Sequence, residues 1–200
     1  MQIADVMALA PVIPVIVIDD VAQALPLAEA LVAGGLPALE VTLRTPAAIE
    51  AIRIMAKVPG AVVGAGTVLN ADDMARAIDA GARFAVSPGL TDTLARTAID
   101  LGLPFLPGTA SASDIMRGLD HGLTHFKFFP AVAAGGIPAL SAILGPLAPI
   151  SICPTGGISQ ATAPDWLKIR QVKCVGGSWM VKGGVADPDA IRAAASLPRG

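Results

Sequence analysis

The fold class this sequence predicts is α/β: a single-domain (β/α)8 TIM barrel over residues 1–200. Three observations predict it. A short β-branched or aromatic run, a polar or proline turn, an amphipathic helix and a glycine recur in that order eight times along 200 residues, close to the usual barrel length. Hydrophobic residues make up 54% of the chain and charged residues 15%, which suits strands covered on both faces, as in a parallel sheet. An open doubly wound sheet of the same period is the alternative. It carries a glycine fingerprint after its first strand and an acidic residue about twenty positions on, and neither follows the first strand here.

Taken in order, Pro11–Ile18 is a β-branched run too short for a helix and bounded by Asp19 and Asp20, a natural cap region. Val21–Ala33 follows with apolar residues at helical spacing and stops at Gly34–Gly35, a C-cap signal. Ala38–Leu43 is the second strand, and Thr45–Pro46 fits an N-cap with proline at the first helical position. The third strand is Ala61–Thr67, with Asn70 capping the next helix; the fourth is Phe84–Gly89, with Thr91 as cap. Pro104–Gly108 is the fifth, with Ser111 or Ser113 opening its helix. His125–Phe129, Ile150–Pro154 and Val172–Gly176 complete the set, and a last helix runs from Ala186 until Leu197-Pro198-Arg199-Gly200 cuts it short.

Composition excludes several functions. No apolar run approaches the ~20 residues of a membrane span without Pro, Gly or a charge, and the N-terminus lacks the basic region of a signal peptide, so a soluble, cytoplasmic protein is expected. A net charge of −2, a pI near 5.6 and the lack of a basic stripe leave no footprint for nucleic acid. Cys153 and Cys174 fall in two different expected strands outside any metal or redox spacing, which reads as buried thiols in a reducing compartment. His121 and His125 are too few for a metal cluster, and hydrogen-bonded structural histidines are expected.

Chemistry enters through the strands. Lys127 stands in the middle of the aromatic run Phe126-Lys127-Phe128-Phe129-Pro130, and lysine is almost never fully buried without a partner. Burying an amine disfavours its charged form and frees it to attack a carbonyl. On an edge strand the same lysine would only lay its stem on the phenylalanines and reach water. In a barrel, alternate residues face inward and chemistry gathers where the strands end. Leu39 and Val41 suit the helix side, which sends Glu40 and Thr42 inward; Phe126 and Phe128 suit the outside, which sends Lys127 and Phe129 inward. An inward Glu40 and Lys127 are either a structural ion pair or working groups.

Arg44, just past the second strand, and Thr67, at the end of the third, offer a planar fork and a hydroxyl suited to a carboxylate. A carboxylate beside a carbonyl describes a 2-keto acid. Thr155-Gly156-Gly157 and Gly176-Gly177-Ser178 follow the seventh and eighth strands, where barrels commonly hold phosphate on backbone N–H groups. With 21 glycines in the chain, one Gly-Gly pair means little; two at these positions form a pattern.

Six stretches together resemble the 2-keto-3-deoxy-6-phosphogluconate (KDPG) aldolases: Leu39–Thr45, Gly64–Asn70, Ser87–Leu90, Phe126–Ala131, Cys153–Ile158 and Gly176–Trp179. The resemblance covers nearly the whole chain, in order. It implies a class I lyase that cleaves 2-dehydro-3-deoxy-6-phosphogluconate to pyruvate and glyceraldehyde 3-phosphate without metal or organic cofactor. By the same resemblance Lys127 forms the Schiff base, Glu40 moves protons, and Arg44 and Thr67 hold the pyruvyl carboxylate. Thr155 lies near the substrate hydroxyls, and the loops of Gly156, Gly157, Gly176, Gly177 and Ser178 take the phosphate. It further implies a homotrimer and 4-hydroxy-2-oxoglutarate as a second substrate. Val132 and Ala133 depart from the acidic and polar residues many relatives carry, and the short termini put in doubt the helix that plugs the barrel bottom. Two other classes stay open on the residues alone. One is a phosphosugar isomerase or epimerase with Glu40 as base and Lys127 as electrostatic stabiliser; the other is a non-catalytic phosphate-ligand binder or trimeric scaffold.

Overall fold

The computed structural model describes residues 1–147 and 149–199. Eight parallel strand positions run β1 Val12–Ile16, β2 Ala38–Thr42, β3 Val62–Gly66, β4 Phe84–Val86, β5 in two pieces (Phe105–Leu106 and Gly108–Thr109), β6 His125–Phe128, β7 Ser151–Pro154 and β8 Val175–Gly177. Helices α1 Ile3–Ala8, α2 Ala24–Ala33, α3 Ala48–Met55, α4 Ala71–Asp79, α5 Asp92–Asp100, α6 Ala112–Asp120, α7 Gly136–Leu144, α8 Ala163–Leu167 and α9 Pro188–Ala195 precede or follow them. Neighbours in sequence are neighbours in the sheet. Val15 pairs with Glu40, Glu40 with Gly64, Gly64 with Phe84 and Ala85 with Phe105. Gly108 then pairs with Lys127 and Lys127 with Cys153. Bridges from Ile152 to Val172 and Thr155 to Gly176 reach β8, and Val12 opposite Val175 brings β8 back to β1. The ring closes as a (β/α)8 barrel.

Two apolar layers follow from the alternation. Leu39, Val41, Phe126 and Phe128 face the helices and pack with residues such as Leu31, Ile52, Met74 and Trp166. Inside the barrel, Ile13, Ala38, Val62, Phe84, Val86, Leu106, Cys153 and Cys174 fill the lower half, sealed from below by Val6 and Met7 of α1. This plugging helix is present, with Val6 and Met7 buried. The Gln2 backbone N–H donates to the Asp5 carboxylate at its start, and Arg199 donates to the Ala8 carbonyl at its end (2.8 Å).

Boundaries differ from the sequence expectation where a local group intervenes. Pro107 has no N–H to give the ladder, so the fifth strand splits, its first piece pairing with β4 and its second with β6. The eighth strand changes partner midway: Lys173 donates to Ile152 and Val175 to Pro11, leaving Cys174 just ahead of β8 rather than within it. The fourth strand stops at Val86, where Ser87 turns its hydroxyl to the Gly89 carbonyl. Thr45 does not cap; its hydroxyl donates to the Ile18 carbonyl and α3 begins at Ala48. Asn70, Thr91 and Ser111 do cap their helices, accepting from Asp73, Leu94 and Asp114. Ala186 belongs to a small hairpin (Val181–Lys182 with Val185–Ala186), so α9 starts two residues later, capped by Asp187. Gly200, the end of the expected C-terminal stop, lies outside the described residues.

Candidate active site

The inward face of β2 and of β6 carries Glu40 and Lys127 to the middle of the barrel, just above its apolar lower half. Lys127 Nζ donates to Glu40 Oε1 at 3.2 Å, and the two residues are 5% and 3% exposed. The flanking phenylalanines enforce the orientation. Phe126 lies against Gly118 of α6, where an added Cβ would come within 2.2 Å of its ring, and Phe128 packs against Trp166 of α8 with ring centroids 6.4 Å apart and planes tilted by 47°. With both rings locked outside, Lys127 has only the interior, and the edge-strand reading fails.

Glycines on β3 make room for the pair. A Cβ on Gly66 would stand 2.5 Å from Glu40 Oε1, and one on Gly64 would stand 2.4 Å from the Phe84 ring. β3 thus presents bare backbone where its neighbours are large. Phe129 adds its ring 5.1 Å from Lys127 Nζ, a face that favours the ammonium electrostatically. Thr109 donates to the Lys127 carbonyl (3.2 Å), and Thr42 donates to the Ile16 carbonyl (3.0 Å), which satisfies two buried hydroxyls beside the pair.

The remaining expected residues ring the mouth. β2 and β3 pair through Thr42 and Gly66, so Arg44 and Thr67, at most two residues beyond, emerge side by side. Arg44 is exposed and has no carboxylate partner among the described residues. Thr67 holds a left-handed backbone, φ 57°, a conformation uncommon for a residue other than glycine. Thr155, 5% exposed, faces the interior from the end of β7, bridged to Gly176. Its hydroxyl lies 3.8 Å from Cys153 Sγ. Ser178 is exposed and Gly157 likewise, at the loop ends.

Gly176 and Gly177, expected in the loop after the eighth strand, instead lie buried within β8, paired with Ile13 and Pro14, and have a packing reason that the sequence did not disclose. A Cβ on Gly176 would lie 2.3 Å from Thr155 Oγ1, and one on Gly177 1.8 Å from the Trp179 ring. Gly156 and Gly157 have φ of 104° and 77°, which a glycine adopts without strain. Sequence reasoning passed over Gly66, Phe129 and Cys153 as individual site residues. Register holds the signal for each: Gly66 lies opposite Thr42, two residues past Glu40, while Cys153 lies opposite Lys127 and Phe129 two residues past it.

Burial raises the question of charge elsewhere in the barrel. The Cys174 thiol is pushed well above the usual range by its hydrogen bond with Cys153 and by burial, so it stays a neutral thiol packed beneath the site. Both histidines are hydrogen-bonded, His121 to Asp92 (3.1 Å) and His125 to Thr124 (3.0 Å). Among the described residues no group of three or more His, Cys, Asp or Glu side chains gathers as a metal site, and no helix is long and apolar enough to cross a membrane. A lysine amine held against a carboxylate inside such a barrel can attack a carbonyl and exchange protons with its neighbour.

Known proteins match nearly the whole chain in sequence and in fold. The family model described as KDPG and KHG aldolase matches residues 3–195. The 2-dehydro-3-deoxy-phosphogluconate aldolase of Zymomonas mobilis is 56% identical over 194 residues, which is 97% of this chain and 93% of that protein. Among solved structures, the 2-keto-3-deoxy-6-phosphogluconate aldolase of Zymomonas mobilis ZM4 with 3-phosphoglycerate superposes with a TM-score of 0.95 at 54% identity, covering 98% of this chain and 96% of that one. The KDPG aldolase of Legionella pneumophila, with pyruvate captured at low pH as a covalent carbinolamine intermediate, gives a TM-score of 0.90 at 47% identity over 98% and 96% of the two chains.

Proposed function

The chain belongs to the KDPG and KHG aldolase family, and from that premise we propose that it is a class I aldolase cleaving 2-dehydro-3-deoxy-6-phosphogluconate reversibly to pyruvate and D-glyceraldehyde 3-phosphate. The observation that carries the reading is the enclosed Lys127–Glu40 pair at 3.2 Å. The Lys127 amine adds to the C2 carbonyl of the substrate, and the carbinolamine loses water to give a protonated iminium. Glu40 takes the proton of the C4 hydroxyl as the C3–C4 bond breaks. The bond electrons move into the iminium as an enamine, and the aldehyde leaves. Glu40 returns a proton to C3, and water hydrolyses the resulting iminium to release pyruvate and the free amine.

Arg44 and Thr67 hold the pyruvyl carboxylate in this reading, Arg44 by its fork and Thr67 by its hydroxyl. Thr155 meets the substrate hydroxyls. The loop of Gly156 and Gly157 and the end of β8 at Gly176, Gly177 and Ser178 take the phosphate, with backbone N–H groups and the Ser178 hydroxyl as donors. A second substrate, 4-hydroxy-2-oxoglutarate, is supported by the family description, which names both activities; it shares the keto-acid half and lacks the phosphate. Residues 1–200 act as one barrel unit, in a homotrimer in the cytoplasm, and the chemistry calls for neither metal nor organic cofactor.

The test is trapping. Incubation with pyruvate and borohydride should add a reduced pyruvyl group to Lys127 alone, read by intact mass and peptide mapping, because borohydride reduces the iminium. An unlabelled protein, or label spread over other lysines, would favour an isomerase in which Lys127 acts only through its charge.

A further inference from the structure

The far end of the barrel carries a second concave site. A cleft of about 400 Å³ opens between the starts of β6 and β7 and the segment leading into β8, and its polar lining is Thr124, His125, Ser151, Arg170, Gln171 and Lys173. A neighbouring hollow of about 280 Å³ continues beneath α1 and shares His125, Ser151 and Lys173 with it. No aspartate or glutamate lines either one.

That absence departs from the habit of the rest of the chain. Arg53, Arg76, Lys168 and Arg192 each meet an acidic residue three positions earlier: Glu50, Asp73, Asp165 and Asp189. Three positions before Arg170 stands Leu167, and three before Lys173 stands Arg170 itself. Neither cation has a carboxylate partner among the described residues. Lys173 Nζ instead donates to the Arg170 carbonyl at 2.9 Å, which holds both cations on one turn at the rim. Burial and then the charge of Lys173 keep the His125 imidazole below its usual range, so the field of that lysine reaches into the cleft.

Two uncompensated cations facing an acid-free cleft, with the hydroxyls of Thr124 and Ser151 and the amide of Gln171 beside them, suit a dianion with several acceptor oxygens better than a single carboxylate. We infer that this cleft binds a phosphate group, as free phosphate or as a small phosphate ester, at a site separate from the catalytic mouth. Arg170 and Lys173 supply the counter-charge, and the neutral donors fix orientation. β6 leads from His125 at the cleft to Lys127, and β7 from Ser151 to Thr155 at the mouth.

Inorganic phosphate and glycerol 3-phosphate, titrated separately into ¹⁵N-labelled protein, test the site by amide shifts. Saturable shifts at Ser151, Gln171 and Lys173 are expected, apart from any at the catalytic loops. The Arg170→Gln/Lys173→Gln variant should need about tenfold more ligand for these shifts, as expected when charge-assisted hydrogen bonds are lost, while its cleavage rate stays that of the parent. Tighter saturation by glycerol 3-phosphate assigns an ester, and tighter saturation by inorganic phosphate assigns the free ion. Shifts confined to the catalytic loops overturn the inference. Shifts that rise without saturating overturn it too and mean an adventitious ion only. Should the double variant fail to fold, Lys173→Gln alone carries the same comparison.

Discussion

A carboxylate 3.2 Å from an amine inside a barrel can neutralise it or pass protons for it, and Glu40→Gln separates the two roles. Glutamine neither takes the proton of the C4 hydroxyl nor returns one to the enamine. With a shuttle, the variant should keep its fold and much of the Lys127 adduct while exchange of the pyruvate methyl protons in heavy water slows by about 10²–10⁴-fold. With a purely structural pair, the cost is stability, since removing one partner leaves a buried charge uncompensated. Exchange followed by NMR beside a melting curve decides: near-normal exchange in a destabilised protein removes Glu40 from the mechanism. Gly66 bears on the same group. Its α-carbon leaves the space Glu40 occupies, and Gly66→Ala would put a Cβ 2.7 Å from Glu40 Cγ. The carboxylate must then move off the amine, and a shift near 1 Å at a working group costs about 10² in rate. Unchanged exchange in Gly66→Ala would show that Glu40 tolerates the displacement.

At the scale of elements, what could be read in the sequence followed the alternation. Leu39, Val41, Phe126 and Phe128 are apolar for one reason, the helix layer, and that reason alone sends Glu40 and Lys127 inward. What the sequence hid depended on partners far along the chain. The split of β5 needs knowledge that its two halves pair with different neighbours. The packing roles of Gly176 and Gly177 depend on Thr155 and Trp179, whose positions only the closed barrel fixes. Those contacts also govern how the phosphate loops are tested. A larger residue at Gly177 would strike Trp179 and confound binding with misfolding, whereas Ser178 is exposed at the end of β8. Ser178→Asp puts a like charge where the phosphate is proposed to sit. It should raise KM for the phosphorylated substrate by about tenfold or more, on the scale of one lost charge-assisted hydrogen bond, and leave pyruvate methyl exchange untouched. An unchanged KM would place the phosphate elsewhere, and equal losses in both assays would mark a folding defect.

For the whole molecule, the two ends of the barrel differ in what they tolerate. The mouth holds its ionisable groups for chemistry, while the bottom is closed by α1 and lined by a half-buried histidine. Burial, and secondarily the charge of Lys173, lower the pKa of His125 in the folded protein. The unfolded chain has the ordinary histidine value of about 6.5, so between that value and the lower folded one the unfolded state binds more protons. Linkage then requires stability to fall as the pH drops through this window, with no contribution from His125 above it. Asp92 acts in a separate range. Its hydrogen bond from His121, helped by Arg117, lowers its pKa, so its contribution is present above the usual carboxylate range and is lost in stronger acid. Melting curves from about pH 7.5 down to about pH 5 should therefore show a decline before the carboxylates titrate. His125→Gln keeps a neutral polar side chain beside Thr124 and removes the titrating group, so it should flatten that part of the curve while leaving cleavage at neutral pH unchanged. A variant whose melting temperature falls as steeply as the parent's over the same window would move the acid sensitivity away from the barrel bottom and onto other groups.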